Sequence, residues 1–547
     1  MIKLFSFKYF LLFIVVLIGA FIRIYHLDQN IPQLYSDETG HYYHLYSFYD
    51  AYTNIFSKLF YGTFSATWLF GLSPLGVRLP AALWGLLSVL AAYYLASAFD
   101  KRTSLVLPFL VAVLPWSFSV SRIGHTHVPI VLFFSLLFLG SYIRAKTIIL
   151  KYLSFLLLVF GGYYYPSLIF VLPVVMLPLL IHTWQNKKNN VTYILATLLF
   201  ISLVAGYFLI NKYQIFSSNS RGLDLAIWRD VNVTADANLY RGIARNSDPT
   251  IFSFYQDPEK IANKLVFNYP VSVISVFFKN YLSFFSPEFL FLKGDNILRH
   301  STGMVGEFYL YLLPFMIYGA FIFYSSKSPH KTFLTLWLLA SPIPAAITKD
   351  GATYLLRAIT MMPILTYFCA RGIVSSFDIF KKKYQKIIFG TILSVVAIYS
   401  SYYYFYGYFH VYPSLAADSF EYGFKDLADF QIQNPGKLLI LWEDKYPYTQ
   451  FCFWQNLPYY LCKSDQINNK VMSGKTRVDL PLPNIIFALP ASTEDLNLVV
   501  SNFTPNYIAV PKKYSETFKL YFDNKDIVKK ISNPDQSTSF TVYKTSF

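Results

Sequence analysis

Tyr35-Ser36-Asp37-Glu38-Thr39-Gly40-His41 places two adjacent carboxylates just past the first long apolar run of the chain, Tyr9 to Ile22. Charged groups close to hydrocarbon are costly, by roughly 2.5–3.5 kcal/mol at the centre of a span on insertion scales, so they usually have a function or a partner. The aromatic segment that follows, His41 to Tyr61, is predicted to be a helix that lies on the membrane interface rather than crossing it. Asp37 and Glu38 are therefore candidate functional groups at a membrane surface.

The composition indicates a polytopic membrane protein. Hydrophobic residues make up 55% of the 547 residues and charged residues only 14%, whereas a soluble protein carries about 25% charged residues. The net charge of +16 would suggest a nucleic-acid partner in a soluble protein. Here the basic residues cluster in short loops and set the topology, so we predict no nucleic-acid partner.

Repeated apolar runs predict about eleven transmembrane helices, because a spanning helix needs about 20 mainly apolar residues. The first run follows Lys3 and Lys8 as in a signal peptide, but it is long and lacks a small-residue cleavage site, so an uncleaved span is predicted. The predicted spans cover, approximately, residues 5–22, 75–97, 103–119, 128–144, 148–164, 166–183, 192–210, 306–324, 332–348, 355–374 and 386–408.

Basic residues gather in alternate loops, beginning before the first span. Because cytoplasmic loops carry an excess of Lys and Arg, we predict a cytoplasmic N-terminus. Large loops at about 25–74 and 211–305 then face outward. The predicted domains are a transmembrane catalytic domain, residues 1–408, and an extracytoplasmic α/β domain, residues 409–547.

The tail differs in composition from the rest of the chain, since charged residues become frequent and apolar runs shrink to strand length. Alternating strand and helix patterns predict a small α/β domain. Cys452 and Cys462 fit a disulfide if the tail is exported, and they fit two free thiols equally well. The predicted strands are 438–442, 484–489 and 507–510, and the predicted helices are 420–432 and 493–503.

Several cationic side chains fall on the same predicted outer side as the carboxylate pair. Arginine can bind phosphate oxygens through two hydrogen bonds, and several cations together stabilise a phosphate leaving group. The pattern therefore favours an anionic substrate that meets a base at the membrane surface. The residues are Arg78 at the start of a span, Arg122, His125 and His127 in the next outward turn, Lys293, Arg299 and His300 at the end of the large loop, and Lys349, Asp350 and Arg357.

These candidates also have structural interpretations. Asp37 and Glu38 could cap the helix that follows them and interact with its dipole. Arg78 could anchor the start of its span. The i, i+2 spacing of His125 and His127 suits a metal ion poorly, and long basic side chains at span ends are often snorkelling anchors.

Several stretches resemble a known family. The Asp37-Glu38 pair looks like its acidic motif, Gly76-Val77-Arg78-Leu79-Pro80-Ala81-Ala82-Leu83-Trp84-Gly85 looks like its RLPSALFG-type segment, and Pro115-Trp116-Ser117-Phe118-Ser119-Val120-Ser121-Arg122 is similar to its "SR" turn. On these residues the chain resembles the GT-C membrane glycosyltransferases, specifically the bacterial type of the protein O-mannosyltransferase and aminoarabinose-transferase family (glycosyltransferase family 39). One departure is that Ile123-Gly124-His125-Thr126-His127 has no acidic residue after the arginine, where many relatives have one.

The resemblance implies a polytopic α-helical GT-C fold in a bacterial plasma membrane. It implies an enzyme that moves a sugar, expected to be a hexose, from a polyprenyl-phosphate donor to a protein, lipid or glycan acceptor on the outer side, with inversion. Asp37 would be the general base and Glu38 would orient the acceptor. No cofactor is required, since arginines can replace a divalent metal, although some related transferases use one. Arg122, Arg299, Arg357 and Arg78 would bind the donor phosphate, and His125, His127, His300, Lys293 and Tyr164 would contact substrate.

The alternative is a polytopic carrier or flippase for a lipid-linked sugar or an ion, because intramembrane charges suit such a protein as well. A carrier does not require large outward loops or an exported α/β tail, and the sequence shows no paired internal repeat. We therefore favour the transferase and expect its tail to recruit the acceptor.

Overall fold

A computed structural model of the chain describes residues 2–30, 33–40, 65–165, 167–185, 224–233, 266–443, 446–462 and 470–545, together with isolated residues between 43 and 243. The chain divides into two compact units. The helical unit comprises residues 1–23, 83–121 and 127–404, and the sheet unit comprises residues 24–82, 122–126 and 405–547. Apart from isolated positions, the predicted interfacial helix 41–61 and the predicted span 192–210 lie outside the described residues. The domain boundary at residue 408 stays a prediction.

Helices dominate the first 415 residues. The described α-helices there are α1 (Ile2–Ile24), α2 (Thr67–Phe70), α3 (Pro74–Phe99), α4 (Val106–Val113), α5 (Pro115–Val120), α6 (His127–Arg144), α7 (Ile148–Tyr164), α8 (Ser167–Gln185), α9 (Tyr269–Ser283), α10 (Leu313–Ser325), α11 (Lys331–Ala340), α12 (Ile343–Ala346), α13 (Met362–Ile379), α14 (Lys383–Tyr406) and α15 (Tyr412–Leu415).

Five helical segments among the described residues are long and apolar enough to cross a membrane. They confirm a multi-pass membrane protein, because each matches the length that hydrocarbon requires. The count of about eleven spans and their orientation stay predictions. The five segments are Phe7–Ile24, Pro74–Phe99, His127–Arg144, Leu355–Ile379 and Lys383–Leu415, and shorter apolar helices cover Ile148–Tyr164, Phe170–Ile181 and Leu310–Ser325.

Two predicted spans each consist of two helices in the structure. Residues 103–119 form α4 and α5, which are separated at the extended residue Leu114. The reason is that Pro115 has no N–H with which to continue the first helix, whereas proline suits the start of the next one. Residues 332–348 similarly form α11 and α12, and the interruption falls at Ser341-Pro342.

A buried arginine satisfies the backbone at the first of these interruptions. The Arg23 guanidinium donates to the carbonyl oxygens of Ala112 at 2.7 Å and Val111 at 3.0 Å. The Tyr309 hydroxyl donates to Val113 O at 2.8 Å. Because carbonyls at a helix end have no intrahelical partner, these long-range donors make a broken helix tolerable in an apolar region.

Glycines allow α10 and α13 to approach closely. A Cβ added at Gly319 would lie 1.9 Å from Phe368 O, and one added at Gly372 would lie 1.9 Å from Phe315 O. Any side chain at either position would therefore collide with backbone. Small residues at helix contacts are typical of membrane bundles, where close packing replaces the hydrophobic driving force.

The sheet unit contains a seven-stranded mixed sheet. Its order is β2-β3-β4-β1-β5-β7-β6, with β1 parallel to both β4 and β5 and the outer strands antiparallel. The strands are β1 (Leu438–Leu441), β2 (Lys470–Ser473), β3 (Thr476–Leu482), β4 (Ile485–Ala488), β5 (Tyr507–Pro511), β6 (Ile527–Ser532) and β7 (Thr538–Lys544).

Helices cover both faces of this sheet. The central strand β1 is buried on both sides, with Leu438 and Ile440 in one apolar cluster and Leu439 and Leu441 in the other. A strand inside a doubly covered parallel sheet is uniformly apolar for this reason. The remaining described helices are α16 (Phe424–Gln433), α17 (Tyr448–Trp454), α18 (Thr493–Phe503), α19 (Lys512–Ser515) and α20 (Lys519–Phe522).

The predicted α/β character of the tail is confirmed, as are its three predicted strands and the helix 493–503. The helix predicted from residue 420 begins at Phe424, because a turn containing left-handed Glu421 and Gly423 precedes it. Cys452 and Cys462 form a disulfide, which decides between the two alternatives open in the sequence. Strands β2, β3, β6 and β7 were not predicted, since they lack the uninterrupted apolar runs that marked the three predicted strands.

Candidate active site

The two adjacent carboxylates of the opening motif have opposite environments. Residues 36–40 form a helical turn in the sheet unit, on which Asp37 is exposed and Glu38 is buried. Within the described residues, the Asp37 carboxylate has no hydrogen-bond or ion-pair partner. Successive residues of a helical turn point in different directions, so one carboxylate reaches solvent while its neighbour enters the core.

Glu38 accepts four hydrogen bonds. Arg78 binds it with two nitrogens, at 3.1 Å from Nε to Oε1 and 3.0 Å from Nη2 to Oε2. The backbone N–H groups of Gly124 and Tyr35 donate at 2.6 and 3.4 Å. Both side chains of the Glu38–Arg78 pair are fully buried. A buried ion pair of this kind persists only when further hydrogen bonds satisfy its atoms, and here they also join three segments of the chain.

The turn after α5 fits closely against Glu38. A Cβ added at Gly124 would lie 2.9 Å from Glu38 Oε1, so a larger residue would displace the carboxylate. The next residue, His125, forms a short hydrogen bond between its Nε2 and the Tyr35 hydroxyl. His125 therefore lies against the segment that carries Asp37, although its neighbour in sequence, His127, belongs to the helical unit.

Arg122 binds backbone carbonyl oxygens and a tyrosine hydroxyl. Its guanidinium donates to the carbonyl oxygens of Tyr25 at 2.8 Å and His26 at 3.1 Å, and to the Tyr408 hydroxyl at 3.1 Å. The side chain is buried, and it also lies over the ring of Phe409 at 5.3 Å. Arg122 thus holds the chain where it leaves α1, a contact that sequence patterns did not predict.

Arg357 and Lys293 form ion pairs in the helical unit. Arg357 donates to Asp350 at 2.8 Å and to the Thr348 hydroxyl at 2.6 Å. Lys293 forms an exposed ion pair with Glu288 at 2.7 Å. The positive charge of each side chain is therefore balanced by a carboxylate in its own loop.

The other predicted site residues of the helical unit make aromatic contacts or are partly buried. The His127 ring stacks on Tyr165 at 4.8 Å, and the Tyr164 ring stacks on Phe134 at 6.5 Å. Arg299 is half-buried.

His300 belongs to a buried carboxylate cluster in the helical unit. Its Nδ1 lies 2.8 Å from Asp295 Oδ2, and both side chains are almost completely buried. Asp295 also accepts the backbone N–H groups of Ile297 and Leu355, each at 2.9 Å. Glu307, also buried, accepts the N–H of Asp295 at 3.1 Å. The sequence pattern indicated His300 but not the carboxylates that hold it.

The structure thus places Asp37, Glu38, Arg78, Arg122 and His125 in the sheet unit. The other predicted residues, His127, Tyr164, Lys293, Arg299, His300 and Arg357, lie in the helical unit. In the described part of the chain, no group of three or more His, Cys, Asp or Glu side chains could hold a metal ion.

Solved structures show which fold the chain is similar to. The crystal structure of the Archaeoglobus fulgidus oligosaccharyltransferase in complex with Zn and sulfate matches with a TM-score of 0.50 and 13% identity, covering 97% of this chain and 72% of that chain. This likeness shows the fold, a membrane GT-C fold with a C-terminal sheet region. ArnT from Cupriavidus metallidurans in the apo state matches with a TM-score of 0.32 and 10% identity over 87% of this chain and 85% of that chain, which is too low to support an argument.

A family model matches part of the chain. The model described as dolichyl-phosphate-mannose-protein mannosyltransferase matches residues 61–208. None of the curated proteins compared with the chain matches it. The fold and the family model together confirm the resemblance to the GT-C membrane glycosyltransferases, and the family match is limited to residues 61–208.

Proposed function

We propose that the chain is an integral-membrane glycosyltransferase that moves a hexose from a polyprenyl-phosphate donor to an acceptor on the outer side of the membrane, with inversion. The observation that carries the proposal is the contrast between exposed Asp37 and buried Glu38. A general base must be accessible to the acceptor yet held in place. Asp37 is accessible, and the adjoining Glu38 fixes the turn that bears it.

In the proposed reaction, Asp37 takes the proton from an acceptor hydroxyl. The acceptor oxygen then bonds to the anomeric carbon of the sugar. The bond between that carbon and the phosphate oxygen breaks, and the polyprenyl phosphate departs with the electron pair. The acceleration comes from the orientation of two bound reactants and from cationic stabilisation of the departing phosphate.

Contacts within the sheet unit sharpen the roles of the other residues. Both carboxylate oxygens of Glu38 accept protein donors, so we propose that it acts on the acceptor through the position of Asp37. Arg78 binds Glu38, and Arg122 binds backbone carbonyl oxygens. Either arginine would therefore have to share its N–H donors between these partners and a phosphate in order to contact the donor directly. Arg299 and Arg357 stay candidates for the donor phosphate on charge and predicted side.

The location and partners are part of the proposal. We place the N-terminus in the cytoplasm and the C-terminal domain outside a bacterial plasma membrane, because basic residues gather in the loops that this orientation keeps inside. The donor's polyprenyl chain would lie in the bilayer, and the acceptor would be a protein, lipid or glycan. Arginines supply positive charge at the leaving group, so the proposal requires no divalent metal.

Purified protein in nanodiscs, supplied with a panel of radiolabelled polyprenyl-phosphate sugars, tests this function. Wild type should release sugar from one donor, and Asp37→Asn should lower the rate by about 10²–10⁴-fold, the usual contribution of a general base. Asp28→Asn is the matched control, because Asp28 is another exposed carboxylate of the sheet unit. Normal turnover by Asp37→Asn would disprove the base, and donor flux without a covalent product would favour a carrier.

A further inference from the structure

The Glu421 carboxylate binds the residue immediately before the proposed base. Its Oε2 accepts the Ser36 backbone N–H at 3.0 Å and the Ser36 hydroxyl at 2.5 Å. The same oxygen accepts Gln450 Nε2 at 3.1 Å. Three donors on one carboxylate oxygen, two of them from Ser36, fix the backbone from which Asp37 projects. Hydrogen bonds to an ionised acceptor are the stronger kind.

The turn around Glu421 makes a second contact with the same segment. Gln33 Oε1 accepts the Gly423 N–H at 2.9 Å, and Gln33 Nε2 donates to Asp426 Oδ2 at 3.0 Å. Glu421 has a φ of 52° and Gly423 a φ of 99°. A left-handed conformation is uncommon for a residue with a side chain and persists when its surroundings require it. Here it directs the Glu421 side chain onto Ser36.

Helix α17 provides the third contact. Gln450 Nε2 donates to Leu34 O at 2.6 Å, and the Thr449 hydroxyl donates to Ser36 O at 3.0 Å. Gly40 lies against the same threonine, since a Cβ there would be 3.0 Å from Thr449 Cγ2. Residues 34, 36 and 40 are therefore all held by two consecutive residues of α17.

We propose that residues 421–426 and 449–450, the cradle, position the proposed base, and that Glu421 is the central positioning residue of this cradle. The inference rests on the proposed function, since it concerns the placement of Asp37 as base. The Asp37 side chain is exposed, so its direction depends on the backbone of residues 33–40. Apart from the Gln450–Glu421 hydrogen bond within the cradle, the polar contacts described above are made to that backbone, to Ser36 or to Gln33.

The cradle assigns a role to the C-terminal domain that differs from acceptor recruitment. A recruiting domain would change the acceptor KM when it is perturbed. A positioning cradle instead changes kcat, because misplacing a catalytic group by about 1 Å can lower the rate by about 10²-fold while substrates still bind. The separation of kcat from KM therefore distinguishes the two roles.

The test uses the full-length protein in nanodiscs with the variants Glu421→Ala, Glu421→Gln and Ser36→Ala. Asp418→Asn is the matched control, because Asp418 is an exposed carboxylate three residues earlier in the same turn. Amide hydrogen exchange over residues 33–40 is measured without substrate. Turnover, the acceptor KM and donor affinity are then measured with the donor that wild type consumes.

Glu421→Ala should speed exchange over residues 33–40 by at least about tenfold and lower kcat by about 10²-fold, with the acceptor KM and donor affinity little changed. Glu421→Gln should restore most of the rate, because its amide oxygen can still accept from Ser36, and Asp418→Asn should match wild type. Ser36→Ala removes only the hydroxyl donor and should give an intermediate effect.

Unchanged exchange in Glu421→Ala, or a rise in acceptor KM alone, would overturn the cradle. If Glu421→Ala does not fold, wild-type exchange over residues 33–40 in Ser36→Ala would overturn it equally. If wild type consumes no donor, the proposed function fails, while the exchange measurement still decides whether the cradle holds this segment.

Discussion

Two loops of the molecule, one in each unit, bury carboxylates and use them differently. In the sheet unit, Glu38 is paired with a fully buried arginine and leaves its neighbour Asp37 exposed. In the helical unit, Asp295 and Glu307 are both buried, and their partners are His300 and backbone N–H groups. In both loops, buried carboxylates accept N–H groups from residues that are distant in the sequence. These hydrogen bonds order both loops. In the first loop, the buried pair adjoins the exposed Asp37, which is the base in the proposed function.

The strongest test of this contrast is to remove the anchored carboxylate. Glu38→Ala would leave the Arg78 guanidinium buried without its counter-charge, so we expect a loss of about 3–5 kcal/mol in the free energy of unfolding. Asp37→Ala should change it by no more than about 0.5 kcal/mol, because the side chain is exposed. Thermal unfolding of both variants in nanodiscs measures the difference. Equal unfolding midpoints for the two variants would show that the two carboxylates contribute equally to stability.

Removal of Asp295 tests the second loop. Asp295→Ala removes the acceptor of two backbone N–H groups, one buried and one partly buried, and the carboxylate that binds the His300 imidazole. This loss should destabilise the protein by about 2–4 kcal/mol. Glu288→Ala is the control, since its pair with Lys293 is largely exposed and should contribute at most about 1 kcal/mol. Resistance to proteolysis reports the loss. An Asp295 variant as stable as the Glu288 variant would contradict the proposed ordering of this loop.

The disulfide offers a milder perturbation of the cradle. Cys452 lies in α17, and its bond to Cys462 closes a loop with a sequence separation of 10. Reduction should cost about 2–3 kcal/mol on loop-entropy grounds, and α17 should exchange its amide hydrogens faster. Cys369→Ala controls for effects of the reductant on the described free cysteine. If reduction leaves both exchange and turnover unchanged, α17 does not depend on the disulfide.

The smallest expected effect concerns an exposed carboxylate outside the membrane region. The Tyr514 hydroxyl at 2.6 Å and Lys513 at 3.0 Å hold the pKa of Glu443 below its ordinary value of 4.5. A lowered folded-state pKa stabilises the protein above the unfolded value, and the contribution disappears as pH falls through the folded value.

Glu443→Gln should therefore be less stable than wild type by a few tenths of a kcal/mol near neutral pH. The difference should disappear as pH falls through the lowered pKa of Glu443, and it should shrink in about 1 M salt because such charges are screened. Thermal midpoints across pH measure it. A difference that persists at low pH would show that packing, not charge, is responsible.

Sequence patterns predicted the regular elements well. Long apolar runs predicted α1, α3, α6 and α7 to within a few residues, because a helix of membrane length needs an uninterrupted apolar stretch. Apolar runs of strand length predicted β1, β4 and β5, since these strands are buried between helices. The interruptions at Pro115 and Ser341-Pro342 were missed, because a single proline hardly changes the apolar content of a stretch long enough to span a membrane.

For the candidate site, the sequence by itself determined that a carboxylate pair follows the first span. The family resemblance gave Asp37 and Glu38 different roles. The residues themselves did not show which carboxylate is buried, because the two are adjacent and have the same neighbours in the sequence. Tertiary structure decided that Glu38 meets Arg78, 40 positions later, and that Ser36 meets Glu421, 385 positions later. Hydrogen-bond partners at such separations leave no periodicity in the sequence. Local patterns report which residues are apolar, whereas the burial and charge compensation of a polar group depend on segments that only the fold brings together.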